Sequence, residues 1–122
     1  MSLQNYKELE VWQVAMDLVE QCYQTTRAFP KDELFGLTSQ IRRAAVSVPA
    51  NIAEGQGRSH TREFLHFLSV ARGSLMELET HVLIGQRIGL LTQVQAEPLC
   101  GLIARIGQML TRLRQSLERR AT

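Results

Sequence analysis

Apolar residues early in the chain fall at Leu9, Trp12, Met16, Val19 and Tyr23, in steps of three and four that place them along one side of a helix. Asn5 and Glu8 offer a capping box ahead of this stripe, and Pro30 in "FPKDE" ends it, because proline disfavours helical geometry at Phe29 and lacks a backbone donor. A second stripe, Leu37, Ile41, Ala44, Val48 and Ile52, predicts a helix opening near Thr38, kinked at Pro49 and stopped by Gly55 and Gly57. Ser59 or Thr61 can cap a third helix, whose seam Phe64, Leu68, Ala71, Leu75, Leu78 and Val82 keeps heptad spacing. Gly89 suits its stop, Thr92 suits the next N-cap, and Leu99, Ile103, Ile106, Leu110, Leu113 and Leu117 trace a fourth helix. Pro98 is expected to delay or kink the first turn of that helix, and the tail "LERRAT" to fray. No segment alternates with period two. Four helices joined by short turns predict an all-α, up-down antiparallel four-helix bundle, a single domain spanning residues 1–122.

Apolar positions exceed what one stripe requires. Val11, Val14, Leu18 and Cys22 form a second row on helix one, and helix three adds Leu65, Met76 and Leu83. A helix apolar over more than about 100° of arc is covered on more than one side, by a wide core or by another subunit. Val11, Val14, Leu18, Leu65, Met76 and Leu83 are therefore candidates for an oligomer interface. Beside the stripe of helix two runs a polar row, Gln40, Arg43, Ser47, Asn51, Glu54 and Arg58, and helix three offers Ser69, Arg72, Glu79 and Gln86. Facing rows predict a cross-helix network in which Arg43 or Arg72 pairs with Glu54 or Glu79, fixing helix register, unless the row is a solvated face or a contact surface.

The stretch "SQIRRAAVSVPANIAEGQGR" excludes a nucleotide loop, since "GQGR" follows a helix and matches neither glycine-rich phosphate motif. A helix-turn-helix around Pro49 would leave its second helix almost no length before Gly55.

At 122 residues, with 44% hydrophobic and 21% charged residues, the chain has room for one core, and no apolar run reaches the roughly 20 residues of a membrane span. The start lacks a secretory pattern, so the cytoplasm is expected. Net charge is +2, which permits anionic partners without requiring them. Lysine occurs only at Lys7 and Lys31, so nearly all of the 14 basic residues are arginine, suited to forked pairing with phosphate or carboxylate. Cys22 and Cys100 lie in apolar helical patterns and read as buried thiols. Glu63 and His66 make one E-x-x-H pair, but a di-iron bundle needs a second, and no catalytic triad can be read from three histidines. No enzyme, metal or cofactor is expected.

The blocks "ELEVWQVAMDLV", "FPKDELFGLTSQIRRAAVSVPANIAEGQGR" and "EFLHFLSVARGSLMELETHVLIGQRIG" resemble the small bacterial four-helix-bundle family named for proteins encoded in intervening sequences of 23S ribosomal RNA genes, often labelled S23, which includes accessory variability proteins of diversity-generating retroelements. The likeness runs from about Tyr6 to Leu91. It implies a homopentameric ring with a central channel, a surface that binds RNA or DNA, no catalysis, and in retroelement relatives a reverse transcriptase partner. In "GRSHTREFLHF", Ser59, His60, Thr61 and His66 stand where the family commonly has lysine or arginine. Carried onto this sequence, the candidate anion contacts are Arg42, Arg43, Arg58, Arg62, Arg72 and Arg87. Arg43 and Arg72 also belong to the polar rows, while Arg58 and Arg62 flank the positive N-terminal end of helix three and are preferred for phosphate. The expected function is a non-enzymatic homo-oligomer binding nucleic acid weakly or serving as an adaptor. A protein-protein scaffold and a helix-turn-helix regulator are the alternatives.

Overall fold

A computed structural model of the protein describes residues 5–121. Its helices are α1 (Glu10–Thr26), α2 (Leu37–Gln56), α3 (Thr61–Arg87) and α4 (Gln93–Ala121), with short 3-10 turns at Tyr6–Glu8 and Lys31–Glu33. Each helix packs on its neighbours in sequence, and α4 closes onto α1, so the four stand in the square order of an up-down bundle. No helix among the described residues is long and apolar enough to cross a membrane.

The helix ends follow from local chemistry. Asn5 Oδ1 accepts from the Lys7 N–H at 2.8 Å, which caps the first 3-10 turn rather than α1. Glu33 Oε1 accepts from the Leu37 N–H at 3.2 Å and so takes up a first-turn donor of α2. At the end of α3, Gly89 adopts φ +84°. The Leu90 N–H then reaches the Gly85 carbonyl at 2.8 Å and the Gly89 N–H reaches Gln86 at 3.3 Å, a Schellman closure that only glycine enters without strain. Thr92 opens α4 with a reciprocal pair: its N–H donates to Gln95 Oε1 at 2.9 Å, and its Oγ1 accepts from the Gln95 N–H at 3.1 Å. That box starts the helix at Gln93, so Pro98 falls inside α4 without delaying it. The tail does not fray; α4 runs on to Ala121.

Pro49 is likewise absorbed. Helix α2 continues through it to Gln56, so the small-residue stretch "SVPAN" is helix and cannot be the turn of a helix-turn-helix. Nor does Gly55 stop the helix. It is buried inside α2 where a Cβ would stand 2.7 Å from Phe67 Cβ, so glycine there lets α2 and α3 approach closely.

The core stripes of α2, α3 and α4 lie as their periodicity predicts, with Ile41, Ile52, Leu68, Leu78, Leu99 and Ile106 fully enclosed. Burial of each such side chain contributes about 1.5–3 kcal/mol. On α1 the expected order is inverted. Val11, Val14, Leu18 and Cys22 face the core, while Met16 is exposed and Trp12, Val19 and Tyr23 are half-buried along its edges. Helix α1 is rotated so that this row, rather than the predicted one, meets α2 and α4. Val11, Val14 and Leu18 are thus withdrawn as oligomer contacts, and Leu65 is half-buried against the same core. Met76 and Leu83 remain exposed.

Candidate anion-binding cleft

Between α2 and α3 the loop 57–60 turns at one end of the bundle. The Gly57 and Arg58 N–H groups close onto Ala53 and Gly55 at 3.1 Å each, which finishes α2. Helix α3 then begins after His60, an extended residue whose side chain makes no cap bond; neither Ser59 nor Thr61 caps it. Its first-turn N–H groups therefore have no capping side chain, and they carry the positive end of the α3 dipole.

A cleft of about 470 Å³ opens beside this terminus, lined by Leu9, Gln56, Arg58, Ser59, His60, Thr61, Phe64, Leu113, Ser116, Leu117 and Arg120. Two guanidinium groups, an imidazole, three hydroxyls and an amide look into it over an apolar floor, and no carboxylate lines it. The carbonyl ends of α2 and α4 also come to this end of the bundle, and Glu54 and Glu63 pair with Arg58, so Arg120 supplies the positive charge in the lining that no carboxylate offsets among the described residues. Arg58 lies 4.9 Å over the Phe67 ring and makes exposed pairs with Glu54 at 3.4 Å and Glu63 at 3.8 Å. Pairs of this kind hold by under about 1 kcal/mol, so an incoming phosphate can compete for the guanidinium. Arg120 is exposed and has no ion-pair partner among the described residues.

The six arginines suggested by the family pattern do not converge. Arg58 lines the cleft and Arg62 stands exposed just outside it. Arg42 donates its Nε to Thr26 Oγ1 at 2.9 Å and stacks 4.5 Å over Tyr23, fastening α2 to α1. Arg43 is exposed near it, Arg72 reaches across to Thr111 of α4 at 3.3 Å, and Arg87 sits in the last turn of α3, at the far end of the bundle. Arg120 belongs in the set and the expectation of a frayed tail hid it.

The predicted charged network between α2 and α3 is replaced by a neutral one. Ser47 and Ser74 hydroxyls meet at 2.8 Å, and Asn51 Nδ2 donates to the Ser47 carbonyl and hydroxyl at 2.8 and 2.9 Å. Ser74, not Arg72 or Glu79, faces α2, because α3 is rotated so that Arg72 reaches α4 instead. Glu54 pairs with Arg58 in the loop that follows its own helix, while Gln40 and Arg43 line a surface hollow with Glu77 and His81.

A larger groove, about 650 Å³, lies at the α1–α2 edge, bounded by Tyr23, Leu34, Phe35, Arg42, Arg43 and Val46. Buried Thr38 also lines it, with an Oγ1 that finds no partner. Burial pushes the Cys22 thiol up to about 12. Cys100 is raised too, by burial and then by the neighbouring Glu79 carboxylate. Among the described residues no three histidine, cysteine or carboxylate side chains gather as a metal cluster. Glu63 is turned to Arg58, and His66 lies edge-on to Phe67.

These features define a class, an all-helical bundle with a cationic cleft at one end. The model of the family described as 23S rRNA-intervening sequence protein matches residues 7–112. The chain belongs to that family. A solved structure of a protein of unknown function from the S23 ribosomal protein family of Bacteroides thetaiotaomicron shares the fold, at 20% identity and a TM-score of 0.77, over 85% of this chain and 97% of that one. A search of curated proteins finds no match.

Proposed function

We propose that this protein is a non-enzymatic, homo-oligomeric bundle of the cytoplasm that binds nucleic acid weakly through the cleft at the start of α3. One observation carries the proposal: Arg58, Arg120 and His60 converge with hydroxyls on a helix N-terminus that no side chain caps, in a lining free of carboxylates. The sites available are backbone-binding groups rather than base-reading ones, so contacts are to phosphate and sequence preference is low. A single shallow cleft gives weak affinity, and a homopentamer, which the family resemblance implies, multiplies it by avidity. The family description links its members to 23S rRNA, which makes RNA the first polyanion to test. An adaptor role, presenting nucleic acid to an enzyme such as a reverse transcriptase, extends the same surface.

Fluorescence anisotropy with single-stranded RNA and DNA across a salt series tests this. The logarithm of affinity falls linearly with that of salt, and Arg58→Ala with Arg120→Ala flattens the slope by about one to two phosphate contacts. Binding that ignores salt, or no binding at low salt, refutes it. The exposed apolar groove at the α1–α2 edge favours a second reading, a protein-protein scaffold, in which the double variant changes nothing.

A further inference from the structure

The serine pair fixes the register of the polar side of the α2–α3 seam. With the Ser47 and Ser74 hydroxyls joined at 2.8 Å, the antiparallel course of the two helices brings Arg43 level with Glu77 one turn further on, and Gln40 level with His81 one turn beyond that. These four side chains stand around a hollow of about 410 Å³ whose floor is Ala44 and Ser47. The floor has little left to offer, because Ala44 is a buried methyl and the Ser47 hydroxyl is already engaged by Ser74 and Asn51. Arg43 and Glu77 carry opposite charges on facing helices, yet they do not close into an ion pair, and none of the four side chains is hydrogen-bonded among the described residues. His81 is half-buried, and its Nδ1 is enclosed with no partner. With no acceptor at Nδ1 to hold a proton there, the neutral ring carries its proton on Nε2, the nitrogen that remains to meet a ligand.

We infer that this hollow binds a small zwitterion of the amino-acid class, its carboxylate taken by Arg43 and His81 and its ammonium by Glu77. The Arg43 guanidinium is a planar fork that matches a carboxylate, and hydrogen bonds between charged groups are the strong ones. Glu77, an acceptor only, meets the ammonium, while the Gln40 amide can donate to one group and accept from the other. A simple anion is opposed by Glu77 and a simple cation by Arg43, whereas one molecule carrying both charges satisfies each side and adds no net charge. The same opposition keeps a polyanion out. A metal ion would find only Glu77 and His81, since no three histidine, cysteine or carboxylate side chains gather among the described residues. Ala44 is the single apolar residue of the lining, so there is no pocket for a large apolar side chain and a short or polar molecule is selected. None of these residues lines the cleft at the start of α3, so this site stands apart from the nucleic-acid reading above.

The test follows the NMR signals of the Gln40 amide and the His81 ring in the full-length protein, at constant pH, as glycine, β-alanine and γ-aminobutyrate are added in turn. Acetate and methylammonium are the singly charged controls. One or more of the zwitterions is expected to shift both signals to saturation, and each control to bind more weakly by about tenfold or more. The three zwitterions differ in the distance between their charges, so the tightest of them reports the gap between Arg43 and Glu77. Glu77→Gln and Arg43→Gln, both at exposed positions, are each expected to weaken that binding by about tenfold. Because Arg43 also lines the α1–α2 groove, Glu77→Gln is the variant that speaks for the hollow alone. Absence of a shift with every zwitterion overturns the inference, as do controls that bind equally well, binding that survives Glu77→Gln, and shifts confined to other parts of the bundle. Circular dichroism checks that each variant is folded, and the comparison of zwitterions with single charges on wild type decides the matter without them.

Discussion

Alanine at Gly55 sets two effects of similar size against each other, and the structure decides between them. Gly55 does not have a positive φ, so alanine meets no backbone strain and gains about 1 kcal/mol of helix propensity. Its Cβ, however, would stand 2.7 Å from Phe67 Cβ, 3.0 Å from Phe64 Cδ1 and 3.3 Å from the Phe64 carbonyl oxygen. A Cβ and a carbonyl cannot rotate away as a side-chain tip can, so α2 and α3 must separate, which puts the cost near the upper end of the roughly 1–3 kcal/mol typical of overpacking. Gly55→Ala is thus expected to lose about 1–2 kcal/mol, on the order of 4–8 °C in Tm for a chain of this length. Gly73 is the control, since nothing lies within 4 Å of the Cβ that alanine would add there. Gly73→Ala should keep only the propensity gain and melt a few degrees higher. Urea and thermal unfolding measure both. If Gly55→Ala proves as stable as Gly73→Ala, the close approach of the two helices does not limit this site and the packing argument fails. The same variant reaches the cleft: Phe64 lines it, so displacing α3 should weaken the proposed RNA binding while the salt slope, which counts charges, stays as it was.

Three further outcomes follow from the same geometry. Ser47→Ala and Ser74→Ala should each cost on the order of 1 kcal/mol, Ser74→Ala the less because Asn51 still donates to the Ser47 hydroxyl, and the double variant clearly less than their sum, because the bond between the two serines is lost only once; additive losses in a urea cycle would refute the pairing. The Cys22 thiol is raised from an ordinary 9.0 to about 12, so its contribution to stability is whole below pH 9 and is lost as pH climbs toward 12, by roughly 4 kcal/mol; Cys22→Ala should flatten that alkaline decline in unfolding midpoints, and an unchanged decline would refute its cause. Glu79→Gln removes a negative neighbour that holds the Cys100 thiol up, so alkylation of Cys100 by iodoacetamide at pH 8 should speed up, and an unchanged rate would show that burial alone sets its reactivity.

Helix number, order and three of the four core stripes were legible because period and heptad spacing depend only on which residues are apolar. Rotation of a helix about its own axis was not. The two rows on α1 are of similar apolar quality, and nothing in Val11 or Met16 says which one meets α2 and α4 together. For the same reason the row Ser47 and Asn51 could be seen on α2 while its partner could not, since Ser74 and Arg72 differ by two positions and face different helices. Gly55 reads as a stop in sequence because a close approach belongs to two elements, and Phe67, its other half, is distant in the chain. Arg120 was obscured by a tail that lacks breakers but is rich in charge, and Leu34–Phe35 carried a signal that was available: an apolar pair outside every helical stripe.

The proposed nucleic-acid cleft and the apolar groove are linked through the proposed assembly. The cleft lies at an end of the bundle, whereas the groove lies along the α1–α2 edge, so copies joined through that edge would leave every cleft open. In a closed ring with cyclic symmetry, equivalent clefts share one height along the axis and are spaced at equal angles. A phosphate chain crossing that circle can occupy several clefts in turn, each contributing one or two arginines, and the effective concentration of the next cleft replaces affinity that no single cleft supplies. Avidity and salt dependence are then linked. Phe35→Asp, which removes no basic residue, should lower both apparent affinity and salt slope toward those of one cleft, whereas Arg58→Ala with Arg120→Ala lowers the slope while leaving the mass of the particle unchanged. A groove variant that is monomeric yet binds RNA with the slope of wild type would separate assembly from binding and remove the reason for coupling them.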